Sequence, residues 1–128
     1  MLEFHHIGIA CEDIKKQKNF IKNFFNVKYE SETVFDKNQN ASLALLTLED
    51  GLNIELISGD AVKNILKKGV KYYHICYAVS DINEYINKFK KQKDVIVISD
   101  PKPAILFDNS LVAFLYTPMG VIELLEKK

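Results

Sequence analysis

Residues 4–10 form an extended, β-rich stretch, and Asp13 then precedes Ile14, Phe20, Ile21, Phe24 and Phe25, an apolar stripe at roughly helical spacing. A strand therefore feeds a helix. Three further extended stretches follow, near residues 29–35, 42–48 and 52–57, and Asp50-Gly51 between the last two is a hairpin signal. Residues 60–68 carry Val62, Ile65 and Leu66 at helical spacing, with Gly69 where a helix C-terminal glycine belongs, which predicts a short linker helix. After it the order recurs. Residues 72–79 are extended, and Ser80 or Asp81 caps a helix with Ile82, Tyr85, Ile86 and Phe89 on one face. Glu84 is placed to complete a capping box with Asp81. Strands follow over residues 95–98, 111–116 and 121–125, with Met119-Gly120 as the last turn.

The recurrence can be tested by sliding the chain on itself, because a duplication keeps one offset across distant strands. An offset of 68 aligns His6 with His74, Ile7 with Ile75, Ala10 with Ala78, Asp13 with Asp81, Ile14 with Ile82, Leu43 with Leu111, Ile54 with Ile122, Glu55 with Glu123 and Leu56 with Leu124. Chance similarity between two apolar segments would not place one His and one Glu per half in matching positions. The expected fold class is α+β, two tandem β-α-β-β-β modules at about 2–58 and 71–127, joined by a linker helix at about 59–70, in one domain spanning 1–128. A chain of 128 residues, 48% hydrophobic, has material for one compact core.

Polar residues inside these strands carry the chemistry. Alternate strand residues share a face, so His6 shares a face with Phe4, Gly8 and Ala10, and His74 shares one with Cys76 and Ala78, small neighbours that leave space. Ile75, Tyr77 and Val79 form the face suited to a covering helix. Glu55 stands between Ile54 and Leu56, and Glu123 between Ile122 and Leu124, in strands apolar enough to be central. A carboxylate buried there needs a cation or a metal. All seventeen basic residues are lysines, so no guanidinium is present to pair with it. Two imidazoles and two carboxylates make a mixed nitrogen and oxygen set for one borderline divalent ion, and nickel, cobalt, zinc and manganese all suit it. The metal ligands expected are His6, Glu55, His74 and Glu123. His5, whose counterpart is Tyr73, reads as packing or surface, and Cys11 and Cys76 read as small buried apolar residues.

Charge removes other classes. Seventeen acidic residues balance the lysines, and no like-charged block is long, so neither nucleic-acid nor membrane binding is expected. The two isolated cysteines suggest a reducing compartment. The N-terminus lacks a signal-peptide pattern and no apolar run is long enough to span a bilayer, so a cytoplasmic protein is expected.

The segments 5–10, 53–57, 73–77 and 120–125, HHIGIA, NIELI, YHICY and GVIELL, resemble in order and register the vicinal oxygen chelate superfamily, which includes glyoxalase I, methylmalonyl-CoA epimerase, extradiol dioxygenases and bleomycin resistance proteins. The resemblance covers nearly the whole chain and implies mixed sheets curved into a metal-binding cup. Within it, His, Glu, His, Glu is the ligand set of glyoxalase I, while the epimerases have Gln at the position of Glu55 and a separate glutamate base near residues 36–39, where this chain has Asp36 and Gln39. The resemblance thus implies a glyoxalase I-like (lactoylglutathione lyase-like) lyase or isomerase, with proton abstraction next to a carbonyl through a metal-stabilised enediolate. By the same resemblance Glu123 is the catalytic base and Glu55 its pseudosymmetric partner. The alternatives are a methylmalonyl-CoA epimerase-type racemase and a non-catalytic, resistance-type binding protein; an extradiol dioxygenase fits less well, since it would use one carboxylate with iron. Expected substrates are a thiol hemithioacetal or an acyl-CoA-like thioester. The absence of arginine departs from enzymes that grip glutathione carboxylates. Asp108, Asn109 and a loop at residues 101–103 read equally as substrate contacts or turn residues, and a homodimer is expected.

Overall fold

The computed structural model describes residues 2–128. Its elements run β1 (Glu3–Ala10), α1 (Ile14–Phe24), β2 (Val27–Glu30), β3 (Val34–Asp36), β4 (Ala41–Leu48), β5 (Asn53–Ser58), α2 (Lys63–Lys67), β6 (Tyr72–Val79), α3 (Ile82–Lys90), β7 (Ile96–Ala104), β8 (Ser110–Thr117) and β9 (Gly120–Glu126). The class is the expected α+β with mixed strand pairing. The chain divides into two compact units, His6–Tyr73, and His74–Lys128 together with the start of β1 through His5.

In the unit His6–Tyr73, the Lys16 N–H donates to Asp13 Oδ1 (3.1 Å), the N-cap that starts α1. Ile14 and Ile21 then face the sheet, packing on Ala44, Leu46, Leu48, Ile54 and Leu56. Phe20 and Phe24 do not join them. They lie roughly 70–110° further round the helix, are 56% and 69% exposed, and stack on each other with centroids 5.7 Å apart. The predicted apolar stripe is therefore narrower than the spacing of its residues suggested. The strand order is β2-β4-β5-β1 with β3 also on β4. The single strand predicted over 29–35 is two, because Ser31 pairs with Leu45 through its own N–H and Oγ, both at 2.8 Å, and the chain bulges after it. The Asp50-Gly51 signal is met by a β4–β5 hairpin with Gly51 at φ +94°. Gly69, after α2, is also left-handed (φ +77°), and the Val70 N–H closes on Ile65 O.

In the other unit the order is β6-β9-β8-β7. Asp81 caps α3 by accepting from the Glu84 N–H (3.1 Å), and Glu126 at the end of β9 accepts from the Ile82 N–H (3.0 Å), placing a carboxylate at the positive end of the helix. Ile82 and Ile86 pack on Val79, Ala113, Leu115 and Leu124. The opposite sheet face gathers Cys76, Ala104, Val112, Phe114 and Leu125. β7 extends well past the predicted 95–98: Pro101 and Pro103 lie within it rather than in a loop, tolerated because β7 ends the sheet order and its ladder to β8 shifts register twice. Asp108 and Asn109 form the turn before β8 with φ of 52° and 63°, and the Asn109 N–H donates to Ala104 O (3.0 Å).

The internal repeat is less uniform than a single offset. Leu43 faces Ile57 across β4–β5, while Leu125, the counterpart of Ile57, faces Val112 rather than Leu111. The pairing of Leu43 with Leu111 is thus corrected to Leu43 with Val112, an offset of 69 along β8. The burial agrees: Leu43 and Val112 are buried, whereas Leu111 is half-buried. The β8–β9 turn absorbs the shift, since Tyr116 pairs with Val121 across four residues where Thr47 pairs with Asn53 across five.

Candidate functional site

β1 and β5 are parallel and in register at Gly8 and Glu55, so Glu55 shares the sheet face of Gly8 and His6. That face is opposite the one α1 covers, which takes Ile7, Ile9, Ile54 and Leu56. His6 and Glu55 are both buried, and His6 Nε2 lies 3.4 Å from Glu55 Oε1. The second unit repeats the arrangement. Cys76 is in register with Glu123 across the parallel β6–β9 pair, and His74 Nε2 lies 3.1 Å from Glu123 Oε1, both side chains at 0% exposure. Each unit therefore brings a buried strand histidine and a buried central glutamate together.

The donor set tests well against a divalent ion. Metal bonds of about 2.0–2.1 Å place adjacent ligands about 3.0 Å apart in an octahedral shell and about 3.4 Å apart in a tetrahedral one. The distances of 3.1 and 3.4 Å, one within each unit, fall in that range. A buried carboxylate beside an imidazole nitrogen is also the ligand chemistry that nickel, cobalt, zinc and manganese accept.

One contributor lay beyond sequence reasoning. Phe114 is directly across from Glu123 in the β8–β9 ladder and presents its ring edge-on to His74, centroids 5.5 Å apart. In the other unit Leu45 faces Glu55. The uniform offset hid this ring by assigning position 113 to that place. Other candidates fall outside the pairs. Asp36 is buried, but its carboxylate accepts from the Asn38 N–H (2.9 Å) and the Gln39 side-chain amide (3.1 Å), so it braces the β3–β4 turn. His5 packs edge-on against Phe107 (5.4 Å). Cys76 joins the apolar cluster of Val112 and Phe114. Burial, reinforced by the charge of Asp13, pushes the Cys11 thiol up to about 11, which makes it a neutral packing group. Asp108 and Asn109 have turn conformation, with Asp108 O accepting from Lys128 Nζ.

The fold and these positions define a class: residues 5–114 match the model of the Glyoxalase/Bleomycin resistance protein/Dioxygenase superfamily, and the chain belongs to that superfamily. Solved structures of the same fold include a hypothetical protein from Bacillus halodurans C-125, 27% identical with a TM-score of 0.77, covering 99% of this chain and 95% of its own. Methylmalonyl-CoA epimerase from Mycobacterium tuberculosis is similar at 20% identity and TM-score 0.82, over 98% of this chain and 87% of its own. A Streptomyces coelicolor methylmalonyl-CoA epimerase variant in complex with 2-nitronate-propionyl-CoA is 24% identical with TM-score 0.73, over 97% and 96%. No curated protein sequence matches the chain.

Proposed function

We propose that this chain is a metal-dependent enzyme that moves a proton on a carbon next to a carbonyl, with an acyl-CoA thioester of the methylmalonyl-CoA type as its substrate. In this reading both modules, about 2–58 and 71–127, serve one site, and His6, Glu55, His74 and Glu123 hold one divalent ion, nickel, cobalt, zinc or manganese. The observation that carries it is the buried histidine–glutamate pair repeated at matching positions in each half, at 3.4 and 3.1 Å. Several similar structures are methylmalonyl-CoA epimerases, which favours the thioester over the hemithioacetal. The lysine-only basic complement points the same way, because it offers no guanidinium fork for glutathione carboxylates.

When bound, the ion polarises the carbonyl and lowers the energy of the charge that develops as the proton leaves. The protein's own groups do the rest. Glu123, held by His74 and walled by Phe114, takes the proton with a carboxylate oxygen. Glu55, its counterpart by the repeat, enters the step protonated and delivers that proton to the opposite face of the carbon, and both groups exchange protons with solvent between turnovers, so two pseudosymmetric carboxyl groups suit inversion at one carbon. The burial of both carboxylates keeps bulk water from reprotonating the carbon at random.

A glyoxalase I-like, lactoylglutathione lyase-like reaction is the second reading, favoured by one observation: position 55 is a carboxylate and not a carboxamide. The assay separates them. Protein loaded in turn with each metal is given methylmalonyl-CoA and the methylglyoxal hemithioacetal in D2O. Epimerisation with deuterium entering the thioester supports the first reading, and turnover of the hemithioacetal alone replaces it with the second. No helix among the described residues is long and apolar enough to cross a membrane, and the cysteine usage suits a reducing compartment. A cytoplasmic homodimer completes the proposal.

A further inference from the structure

We propose that the unit ending in β9 carries a second binding site, on the helix-covered face of its sheet, for a monocarboxylate with an apolar chain. A cavity of about 440 Å³ lies there, between α3 and the sheet, walled by Tyr77, Phe89, Val95, Leu115, Ile122 and Leu124. Its volume falls in the range of about 300–1,000 Å³ usual for small-ligand sites. Glu123 is on the other face of the same sheet, so this cavity is separate from the proposed reaction site.

The internal repeat explains why the space exists. In the unit His6–Tyr73 the matching end of the helix–sheet sandwich is closed by Leu48, which is 4% exposed, and by Leu52, both packed into the core. The residue structurally equivalent to Leu48 is Thr117. Its hydroxyl is turned away into the shortened β8–β9 turn, donating to Gly120 O (3.0 Å) and accepting from the Met119 N–H (3.0 Å). Met119 is 80% exposed at the mouth instead of filling the gap. One half thus has a plugged core, and the other has the same core with its plug removed and a flexible thioether at the opening.

The chemistry of the occupant follows from walls and rim. Among the described residues no charged side chain lines the cavity, so what enters is apolar. The mouth residues Thr117 and Pro118 also line an adjoining cleft that contains Lys93 and Asp94. Lys90 and Lys91 are exposed just before it, so cations outnumber Asp94 along this stretch and an anionic head is favoured. An apolar tail inside and a carboxylate at Lys93 match the two compartments.

The chain has no tryptophan, so Met119→Trp places a single fluorophore at the mouth. Hexanoate, octanoate and decanoate titrated below their aggregation range should each quench or shift it saturably at one per chain, tightening about fourfold per methylene. Calorimetry on the wild-type chain should give the same order. Thr117→Leu, which restores the plug seen as Leu48, should abolish binding, and Lys93→Glu should weaken it at least tenfold, with thermal melts reporting that both variants fold. Glu123→Gln should leave fatty-acid binding intact, which separates this site from the reaction. Absence of saturable binding, or binding indifferent to Thr117→Leu, overturns the site. Octan-1-ol binding as tightly as octanoate overturns the carboxylate assignment.

Discussion

Phe114 stands directly across the β8–β9 ladder from Glu123, at the place where Leu45 faces Glu55 in the other half. Its ring meets the His74 imidazole edge-on, the arrangement in which the positive rim of one ring meets the negative face of the other. The two halves supply the same pair of donors but different walls. Phe114→Leu copies the other half, keeps the position filled and should cost about 1 kcal/mol of stability. It should also loosen His74 and weaken metal binding, while Leu45→Phe should leave metal binding unchanged or tighter. Urea denaturation and a metal titration check the two effects separately.

Metal removal should destabilise the protein measurably. An ion at a thousand times its dissociation constant adds about 4 kcal/mol to the folded state. A chelator should therefore lower the melting temperature by about 15 °C in a chain of this length. His6→Ala or His74→Ala should reduce bound metal from one per chain to near zero by elemental analysis. Each should also make the melting temperature insensitive to chelator. Retention of a full metal complement in both variants would refute the ligand assignment.

Cys11 gives a prediction in the alkaline range. An unfolded cysteine thiol ionises near 9, whereas the folded one is pushed up to about 11, first by burial and then by the charge of Asp13. The native state therefore holds a proton that the unfolded chain has lost over this interval. Stability from this group is fully present below pH 9 and is lost as pH rises from 9 to 11. Cys11→Ala should flatten the part of the alkaline stability profile due to this residue in calorimetric melts from pH 8 to 11. Thiol reagents should label Cys11 slowly at pH 8 until denaturant is added.

Much of this was legible before any coordinates, for a physical reason. His6, Glu55, His74 and Glu123 interrupt apolar runs, so their burial, and the need of each carboxylate for a partner, could be read from strand parity and from the cost of an unpaired buried charge. Asp13 and Asp81 announced their helices because a cap is a local interaction across three residues. What stayed hidden depends on non-local register. A one-residue shift along β8, compensated within a turn, leaves the hydrophobic pattern nearly unchanged, yet it exchanges Ala113 for Phe114 opposite Glu123. The exposure of Phe20 and Phe24 was hidden likewise, since helical spacing says that residues are neighbours and not how wide a face the sheet covers.

The roles of the two glutamates are separable by experiment. Glu123 and Glu55 are each buried beside a histidine at 3.1 and 3.4 Å, so removing the charge of either should affect metal binding to a similar degree. A base differs from a ligand in what glutamine can replace. Glutamine retains a carbonyl oxygen and the shape of the side chain, but it cannot accept the substrate proton. Glu123→Gln should therefore lower kcat by about 10² to 10⁴ with KM little changed. Glu55→Gln creates the residue found there in the epimerases, by the resemblance of the sequence, and should lower kcat by about tenfold or less on the thioester. Deuterium exchange into the substrate without inversion in Glu55→Gln would assign proton return to Glu55. The reverse order of the two kcat losses would move the base to Glu55 and refute the assignment made here.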